Sequence, residues 1–489
     1  MSALAELSLR AWLDQVRSLG ELRDVSGAAE ELEIGTIVDI LMERAGNPAV
    51  LFDNIPGHKP GYRVLGNVLT SPARVALSGG LDPSISKIDL VKAWREVNAS
   101  SAVLPHEVVK DGPIKECVET GSQVDLCDFP APRWHEEDGG AYIGTGCLVI
   151  QKDPDSGWVN CGAYRVERHD ARTLGLMITQ GKHGRGIMQK YWARGEACPV
   201  AISFGHHPLF LMVGGMSIPE GVCEYDFIGG LRGAPLQVVA GEQTGLPIPA
   251  EAELVIEGEI PPDERHAEGP FGEWTGYYAS GEGEQPVVHV KSVMHRRDPI
   301  NLGVLPGKPP NDNTYYRNYL GSALLWAQLE KAGMPGIQGV WLHESGGGRM
   351  MITVSIKQQY PGHSKQTGLM AASCRAGSYL NHLTVVVDED IDPTNSDEVI
   401  WAMCSRVDPR EDVEILKRMW ASPLDPMAYP PESRAFNSRM VIDACRPWER
   451  LSSFPKVARA SAELRDQVRA KFANVFDSRV PSPAAAGEG

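Results

Sequence analysis

The sequence predicts a fold that mixes α/β and α+β architecture over 489 residues. Amphipathic helices alternate with short apolar strands in the first and last parts of the chain, as they do in α/β layers. The middle part is dense in glycine and proline, and turn signals separate its short strands at fairly regular spacing, which is typical of a barrel-like β domain. Because this length exceeds one ordinary core, we expect two or three domains and place them at 1–115, 116–310 and 311–489.

The N-terminal α/β segment begins with a helix. Leu9, Leu13 and Val16 recur at helical spacing, and Gly20 provides a C-terminal cap. The elements predicted for this segment are a helix over 7–19, a strand over 22–25, a helix over 30–45, a strand over 49–53 and a helix over 88–97.

The central segment is predicted to be a split β-barrel. Its strands are expected at 146–151, 157–166, 199–204, 236–240, 252–259 and 286–295, with helices near 187–194 and 221–229. The longest apolar run of the chain, 208–216, has the length of a strand. It is far shorter than the stretch of about 20 apolar residues that crosses a bilayer.

The C-terminal segment returns to α/β alternation. Its predicted elements are a helix over 318–332, a strand over 383–387, a helix over 399–407 and a final helix over 461–475. The final helix carries charges on one face and Leu464, Val468 and Phe472 on the other. We interpret it as an oligomerisation helix, with packing on its own domain as the alternative. The tail, 481–489, is rich in small residues and is predicted to be disordered.

Composition excludes several classes of partner. The chain has 47 Lys plus Arg against 63 Asp plus Glu, a net charge of −16, which disfavours nucleic acid and anionic membranes because both require a basic surface. A local basic pocket for a small anion stays open. The nine cysteines are scattered singly, without a CxxC pair, which predicts reduced thiols and a cytoplasmic location.

A short glycine- and proline-containing stretch, Glu268-Gly269-Pro270-Phe271-Gly272-Glu273, is the strongest candidate for chemistry. Proline fixes φ and the two glycines allow conformations closed to other residues, so a tight turn is predicted. Such a turn brings Glu268 and Glu273 toward one small volume. Carboxylates in shared, partly dry surroundings hold their protons with unequal strength, which yields one acid and one base. A solvated surface turn is the alternative.

Asn160 and Arg165 lie five residues apart on one predicted strand. Odd spacing places two residues on opposite faces of a regular strand. Both reach one site only if Gly162 marks a bulge or a bend. An exposed arginine at a sheet edge is the alternative interpretation.

Two further loops carry candidate ligands. Lys182 and Arg185 flank His183 in a glycine-punctuated turn that suits a phosphate, although a solvated basic loop fits equally well. Glu224 follows the glycine pair at 214–215. Together with Asn160 and His183 it would form a mixed nitrogen and oxygen site that suits Mn²⁺ or Mg²⁺ better than zinc.

These stretches resemble the UbiD family of reversible (de)carboxylases. The resemblance runs in order through nearly the whole chain, and its most specific part is the E-G-P-F-G-E segment with N-x-x-x-x-R about a hundred residues upstream. It is carried by residues 160–165, 181–184, 203–205, 216–224, 268–273, 360–365 and 388–392.

The resemblance implies a cofactor and its ligands. Family members bind prenylated FMN, a flavin with a fourth, isoprenoid-derived ring, in a central split β-barrel, and anchor its phosphate through Mn²⁺ with K⁺ nearby. The implied metal ligands are Asn160, His183 and Glu224. The implied cofactor contacts are Asn160, Cys161, Ala163, Tyr164, Arg165, Lys182, His183, Val213, Gly214, Gly215, Met216 and Glu224, with Lys365 and Arg375 as candidates for one further basic contact.

The resemblance also implies an activity, the reversible non-oxidative decarboxylation of an aromatic, heteroaromatic or α,β-unsaturated carboxylic acid. Arg165 and Glu268 would orient the substrate carboxylate, and Glu273 would return a proton to the carbon that loses CO₂. Lys182 before the implied metal histidine is similar to the aromatic and heteroaromatic branch. The substrate wall is expected within 305–313 and 424–437.

The implied partners are a flavin prenyltransferase that supplies the cofactor and further copies of the chain in a homodimer or larger homo-oligomer. Two other functions stay open at this point. One is a non-catalytic subunit of a multisubunit carboxylase, and the other is a plain FMN-binding split-barrel oxidoreductase.

Overall fold

The computed structural model describes residues 4, 6–44, 46–100, 103–216, 218–279, 281–422, 424–428 and 436–476. The chain divides into two compact units, Met1–Cys445 and Arg446–Gly489. The first unit combines helices with four β-sheets, so the predicted mixed α+β fold is confirmed. The division at 115 and 310 stays a prediction.

The helices of the described chain are mostly short. They are α1 Leu9–Ser18, α2 Glu33–Met42, α3 Pro72–Ser78, α4 Lys87–Ser100, α5 His183–Ala193, α6 Pro208–Gly214, α7 Glu224–Arg232, α8 Asp312–Lys331, α9 His363–Ser373, α10 Arg375–Ser378, α11 Ser396–Arg406, α12 Ala462–Lys471 and α13 Ala473–Phe476.

The strands follow the predicted distribution, with most of them in the middle of the chain. They are β1 Leu22–Ser26, β2 Ala49–Asp53, β3 Arg63–Gly66, β4 Glu107–Val109, β5 Cys117–Thr120, β6 Ala141–Gly144, β7 Leu148–Lys152, β8 Val159–Gly162, β9 Arg165–Arg168, β10 Thr173–Met177, β11 Cys198–Gly205, β12 Gln237–Ala240, β13 Pro247–Pro249, β14 Leu254–Ile260, β15 Arg265–Glu268, β16 Gly283–His295, β17 Ile300–Leu302, β18 Ile337–Leu342, β19 Met351–Ile356, β20 Leu383–Asp388, β21 Val413–Trp420 and β22 Phe436–Ala444.

The largest sheet has ten strands in the described chain, with the order β6-β9-β10-β16-β14-β11-β7-β8 and with β5 and β15 also paired to β16. Its neighbours are antiparallel. The register shifts between Ser203 and Gly205 and between Glu257 and Gly258. Such bulges bend a strand and increase its twist, which curls the sheet.

Three smaller sheets complete the described part of the first unit. One has the order β1-β2-β3-β17, one β13-β12-β4, and one β18-β19-β20-β22-β21. The five-stranded sheet contains the parallel pairs β19-β20 and β20-β22. Helix α8 packs near this sheet and begins with a capping box formed by Asn311 and Thr314.

The strand predicted over 157–166 is wrong as a single element. Strand β8 ends at Gly162 and β9 begins at Arg165, and the two strands lie toward opposite ends of the large sheet. Only Ala163 and Tyr164 connect them, so the sheet must curl until its two ends approach each other. The backbone N–H of Ala163 leaves the sheet and donates to the carbonyl of Gly214 over 3.2 Å.

The strand-length apolar run at 208–216 forms helix α6 instead. Pro208 occupies the first turn, where its missing N–H is tolerated, and the ring of His207 accepts the backbone N–H of Leu209. None of the helices in the described residues has the length and apolar character of a membrane span.

The second unit contains the helix predicted over 461–475, which is divided into α12 and α13. None of the side chains of α12 is buried, and Leu464, Val468 and Phe472 remain exposed. The tail predicted to be disordered, 481–489, lies outside the described residues.

Candidate active site

The three residues implied to be catalytic meet at the end of β15 and the start of β9. The Arg165 guanidinium donates from Nε and Nη2 to the two carboxylate oxygens of Glu268 over 2.7 and 2.8 Å. Its Nη1 donates to Glu273 Oε1 over 2.8 Å. One guanidinium therefore holds both carboxylates of the E-G-P-F-G-E segment, with a two-point contact to the first and a single contact to the second.

The cluster is shielded from water. The side chains of Arg165, Glu268 and Glu273 are 11%, 1% and 12% exposed. Burial alone would lower the pKa of Arg165, but the hydrogen bonds and charges of the two glutamates outweigh it and raise that pKa. The ring of Phe271 lies 5.2 Å from the guanidinium carbon and forms an apolar wall.

The segment that presents the two glutamates is held by backbone contacts. Gly269 has φ of 85°, a left-handed conformation that other residues rarely adopt, and its peptide bond to Pro270 is cis. The carbonyl of Pro270 accepts the N–H of Gly139 over 2.7 Å, and Asp138 accepts the N–H of Gly272 over 3.0 Å. The prediction of a tight turn within 268–273 is wrong, because residues 269–273 run without a turn and the chain first turns at 274–275. The segment is buried rather than solvated, and both glutamates nevertheless reach Arg165.

A second cluster forms around Glu224, the first residue of α7. Its carboxylate accepts the side-chain amide of Asn160 over 3.1 Å and the backbone N–H of Cys161 over 2.8 Å. Burial raises the pKa of Glu224 to about 8. The Oδ1 atom of Asn160 is buried without a hydrogen-bond partner in the described structure. An unpaired amide oxygen beside a buried carboxylate suits a hard divalent cation such as Mn²⁺ or Mg²⁺.

His183 is the first residue of α5 and lies near the Asn160–Glu224 cluster through its contact with Trp158. Its ring makes an edge contact with Trp158, with 5.1 Å between ring centroids, and Trp158 precedes Asn160 by two residues. The structure therefore joins Asn160 and Glu224 directly and places His183 next to the segment that leads into them.

Two thiols flank this cluster: Cys161, which is one of the implied cofactor contacts, and Cys223, which was not selected from the sequence. The sulfur atoms of Cys161 and Cys223 and a carboxylate oxygen of Glu224 all lie within 4.8 Å of one another. Thiolates favour softer metals than carboxylate and amide oxygens do. The choice of a hard cation therefore rests on the oxygen atoms of Asn160 and Glu224, since burial raises the pKa of Cys161 but hydrogen bonds with Cys161 and His106 lower the pKa of Cys223 to about 6.

The segment implied to line the cofactor lies against the connection between β8 and β9. Gly214 accepts the N–H of Ala163, and Met216 donates to the carbonyl of Val213 over 3.0 Å. A side chain at Gly215 would place its Cβ 2.1 Å from the hydroxyl of Tyr316, so the backbone approaches that tyrosine closely. The ring of Tyr164 covers Gly162 in the same way.

Three cations converge nearby, and only the first was selected from the sequence: Lys182, Arg317 and Arg349. Burial, then Arg317 and Arg349, lowers the pKa of Lys182 to about 8, and burial followed by Arg317 lowers the pKa of Arg349 to about 10. Lys182 is exposed, and Arg317 and Arg349 are half-buried, so a ligand can reach these three residues, which we call the cleft cations.

The cation cluster has no carboxylate of its own in the described residues, and the Nε atom of Arg317 is buried without a hydrogen-bond partner there. Like charges that are partly removed from water repel one another and lack compensation. An anionic ligand would supply the negative charge that compensates these three cations.

Lys365 and Arg375, the two candidates for a further basic contact, are engaged elsewhere. Lys365 forms an ion pair of 2.9 Å with Glu414 of β21, and the Arg375 guanidinium stacks 4.5 Å from the Trp420 ring. Both contacts belong to the five-stranded sheet and its surface helices. The structure therefore favours Arg317 and Arg349 in place of these two.

The structure describes part of the expected substrate wall, 305–313 and 424–437. The Asn311 side chain caps α8 and donates to the carbonyl of Gly307 over 2.6 Å, so its polar group is used within the protein. Lys308 is exposed. Within the second expected wall, 424–437, residues 429–435 lie outside the described part of the chain.

Comparison with known proteins assigns the class. Residues 13–94, 106–309 and 314–444 match the N-terminal, Rift-related and C-terminal domains described for 3-octaprenyl-4-hydroxybenzoate carboxy-lyase. Together with a buried arginine that holds two glutamates in a curled sheet, these matches define an enzyme of the carboxy-lyase class. The chain belongs to the UbiD family.

Two characterised relatives align over most of their length. The chain is 33% identical over 471 residues to a pyrrole-2-carboxylic acid decarboxylase of Pseudomonas aeruginosa, covering 93% of this chain and 94% of the relative. It is 32% identical over 449 residues to a phenolic acid decarboxylase of Streptomyces sp. strain D7, covering 90% and 92%.

Two solved structures of a UbiD-class enzyme, HmfF of Pelotomaculum thermopropionicum, are similar throughout. The complex of that enzyme with FMN gives a TM-score of 0.83 at 28% identity and covers 94% of this chain and 99% of the other. An evolved dimeric form in complex with prenylated FMN gives 0.81 at 26% identity, covering 96% and 100%.

Proposed function

We propose that this protein decarboxylates an aromatic or heteroaromatic carboxylic acid without oxidation, using prenylated FMN. The observation that carries the proposal is the buried Glu268–Arg165–Glu273 cluster. A guanidinium that already binds one carboxylate at two points can exchange it for the carboxylate of a substrate with the same geometry. The pyrrole-2-carboxylic acid and phenolic acid decarboxylases that the chain resembles support this class of substrate.

Each residue of the cluster has a separate role in the proposal. Arg165 binds the substrate carboxylate in place of Glu268, which holds the guanidinium in the required plane until the substrate arrives. Glu273 delivers a proton to the carbon from which CO₂ departs, because it is a buried carboxyl group that Arg165 Nη1 holds beside the proposed position of the substrate carboxylate. Prenylated FMN, when bound, supplies an electron sink for the pair of electrons left on that carbon.

The remaining predicted residues would hold the cofactor. We propose that Asn160, Glu224 and His183 bind Mn²⁺, because the unpaired amide oxygen and the buried carboxylate match its preference for oxygen ligands. The cleft cations would bind the cofactor phosphate beside that metal. Backbone carbonyls at 213–216 are the proposed K⁺ ligands.

Replacing one cleft cation tests whether the cleft cations, rather than Lys365 and Arg375, bind the cofactor phosphate. Arg349→Met is expected to weaken flavin binding by about 10- to 100-fold, because one charge-assisted hydrogen bond to phosphate contributes about 1.5–3 kcal/mol. Arg375→Met is the matched control and should bind flavin like the wild type. The measurement is fluorescence titration of the protein with FMN. If only the Arg375 variant bound flavin more weakly, Arg375 rather than Arg349 would be the phosphate contact.

The function itself is tested with protein co-produced with a flavin prenyltransferase, the proposed supplier of the cofactor. The purified chain is expected to carry a flavin heavier than FMN and one Mn²⁺, and to release CO₂ from some members of a panel of pyrrole, furan, indole and benzoic carboxylic acids. Ordinary FMN in an inactive protein would favour the oxidoreductase alternative. A prenylated flavin without CO₂ release from the isolated chain would favour the non-catalytic subunit.

The same preparation tests the assembly. We propose a homodimer or larger homo-oligomer in the cytoplasm, since α12 exposes Leu464, Val468 and Phe472 and all nine cysteines are free thiols. Light scattering is expected to give at least twice the chain mass of 53.2 kDa. A monomer at micromolar concentration would contradict this assembly.

A further inference from the structure

A third glutamate lies beside the catalytic pair. Glu167 follows Arg165 by two residues on β9, so both side chains project from the same face of the strand. Only 6% of Glu167 is exposed. Neither the sequence motif nor the roles assigned above include this residue, although a buried carboxylate requires partners to offset the loss of hydration.

The Glu167 carboxylate fits closely between two segments of the chain. One oxygen accepts the N–H of Gly269 over 3.3 Å, within the segment that carries the catalytic glutamates. The other oxygen lies over Gly140, where any Cβ would be 2.1 Å away. The carboxylate therefore lies directly against residue 140, which has no side chain.

The hydroxyl of Tyr142 connects Glu167 to Glu268. It donates to Glu268 Oε1 over 3.0 Å, and the Glu167 carboxyl group is its neighbour on the other side. A phenol has one proton to donate and lone pairs that accept. If both glutamates were ionised, the hydroxyl could donate to only one of them. All three groups are satisfied when one proton is shared between the two carboxylates.

The charges that face Glu167 favour such a proton. From its own strand comes Arg165, from β6 comes Tyr142, and from β15 comes Glu268. One guanidinium is thus shared among three carboxylates. Burial, then the charge of Glu268, raises the pKa of Glu167 to about 7. A substrate carboxylate that arrives at Arg165 would add another negative charge.

We propose that Glu167 is a positioning residue that supplies a proton to Glu268 through Tyr142 when the substrate carboxylate binds Arg165. The O–H bond of Glu167 breaks as its proton passes to the tyrosine oxygen, and the tyrosine proton passes to Glu268. No electrons are transferred, and the negative charge moves from Glu268 to Glu167. Arg165 is then released from one carboxylate and accepts that of the substrate. This inference rests on the proposed decarboxylation.

The pH dependence of KM tests whether Glu167 supplies a proton when the substrate binds. The wild-type holoenzyme is expected to show a KM that rises by about tenfold per pH unit above about pH 7, because Glu167 has lost its proton there. Glu167→Gln keeps an acceptor for Gly269 but cannot supply a proton, so its KM should stay flat with pH at the high wild-type value. Tyr142→Phe removes the connection and should show the same flat KM. Glu284→Gln, at an exposed position, should retain the wild-type profile.

Infrared spectroscopy provides a readout that does not depend on turnover. The difference spectrum between wild type and Glu167→Gln, each as purified, should contain a protonated carboxyl band at about pH 6 that disappears at about pH 8.5. A wild-type pH profile that persists in Glu167→Gln would overturn the proposal, since a purely structural glutamate is replaced by glutamine without such a change. If no acid is decarboxylated, the infrared band still decides whether Glu167 carries the proton, so the two failures are distinguishable.

Discussion

Glu273→Gln is expected to lower kcat for decarboxylation by about 100- to 10,000-fold, the range typical for loss of a general acid. Glutamine retains the size of the side chain and can still accept the hydrogen bond from Arg165 Nη1, which spans 2.8 Å in the native protein. What it lacks is a transferable proton. The variant should therefore fold, bind the cofactor and stop at the protonation of the substrate carbon.

The measurement combines three readings on one preparation: CO₂ release, the absorbance and mass of the bound flavin, and incorporation of deuterium into product in heavy water. Glu282→Gln is the matched control, because Glu282 is exposed and follows the E-G-P-F-G-E segment. Full deuterium incorporation at the wild-type rate in Glu273→Gln would show that another group is the acid.

Replacing Arg165 is expected to affect stability and activity to different extents. Arg165→Met leaves two buried carboxylates without their cation, which costs about 3–5 kcal/mol in the free energy of unfolding. The loss should shrink as the pH is lowered, because the orphaned carboxylates then take up protons. Arg165→Lys restores the charge but not the planar two-point contact to Glu268, so it should recover most of the stability.

Activity should not follow stability in this pair of variants. We expect at least about 100-fold lower kcat/KM for Arg165→Lys, because an ammonium group cannot bind a carboxylate at two points. Denaturant unfolding and CO₂ release measure the two effects, and Arg172→Lys, at an exposed residue of the adjacent turn, is the control. Equal losses of activity and stability in the lysine variant would contradict a substrate-binding role.

The sequence was most informative where a local pattern constrains the backbone. Glycine and proline around Glu268 and Glu273 predict that the two glutamates approach each other, and both contact Arg165, although residues 269–273 run without the predicted turn. The uncertain point was whether Asn160 and Arg165 reach one region from opposite faces of a strand. In the structure β8 ends at Gly162 and β9 begins at Arg165, so the two residues lie on different strands, and no propensity within 157–166 required this division.

Groups that meet only through the tertiary fold left no local signal. Arg317 and Arg349 approach Lys182 from segments more than a hundred residues away, and their own neighbours resemble ordinary helix and loop. Lys365 and Arg375 were equally plausible from sequence, because composition does not show that Glu414 and Trp420 engage them. Glu167 had a signal, a charged residue alternating with Arg165 on a buried strand, but a strand edge explains that pattern as well.

The two-residue link between β8 and β9 joins positions toward opposite ends of the large sheet, and it lies between the Asn160 and Arg165 positions. It therefore acts as a molecular spacer of fixed length. One inserted residue would rotate Arg165 to the other face of its strand, by the twofold alternation of side chains, and would separate it from Glu268. The number of residues from Asn160 to Arg165 is thus constrained as strongly as the identity of the two end residues.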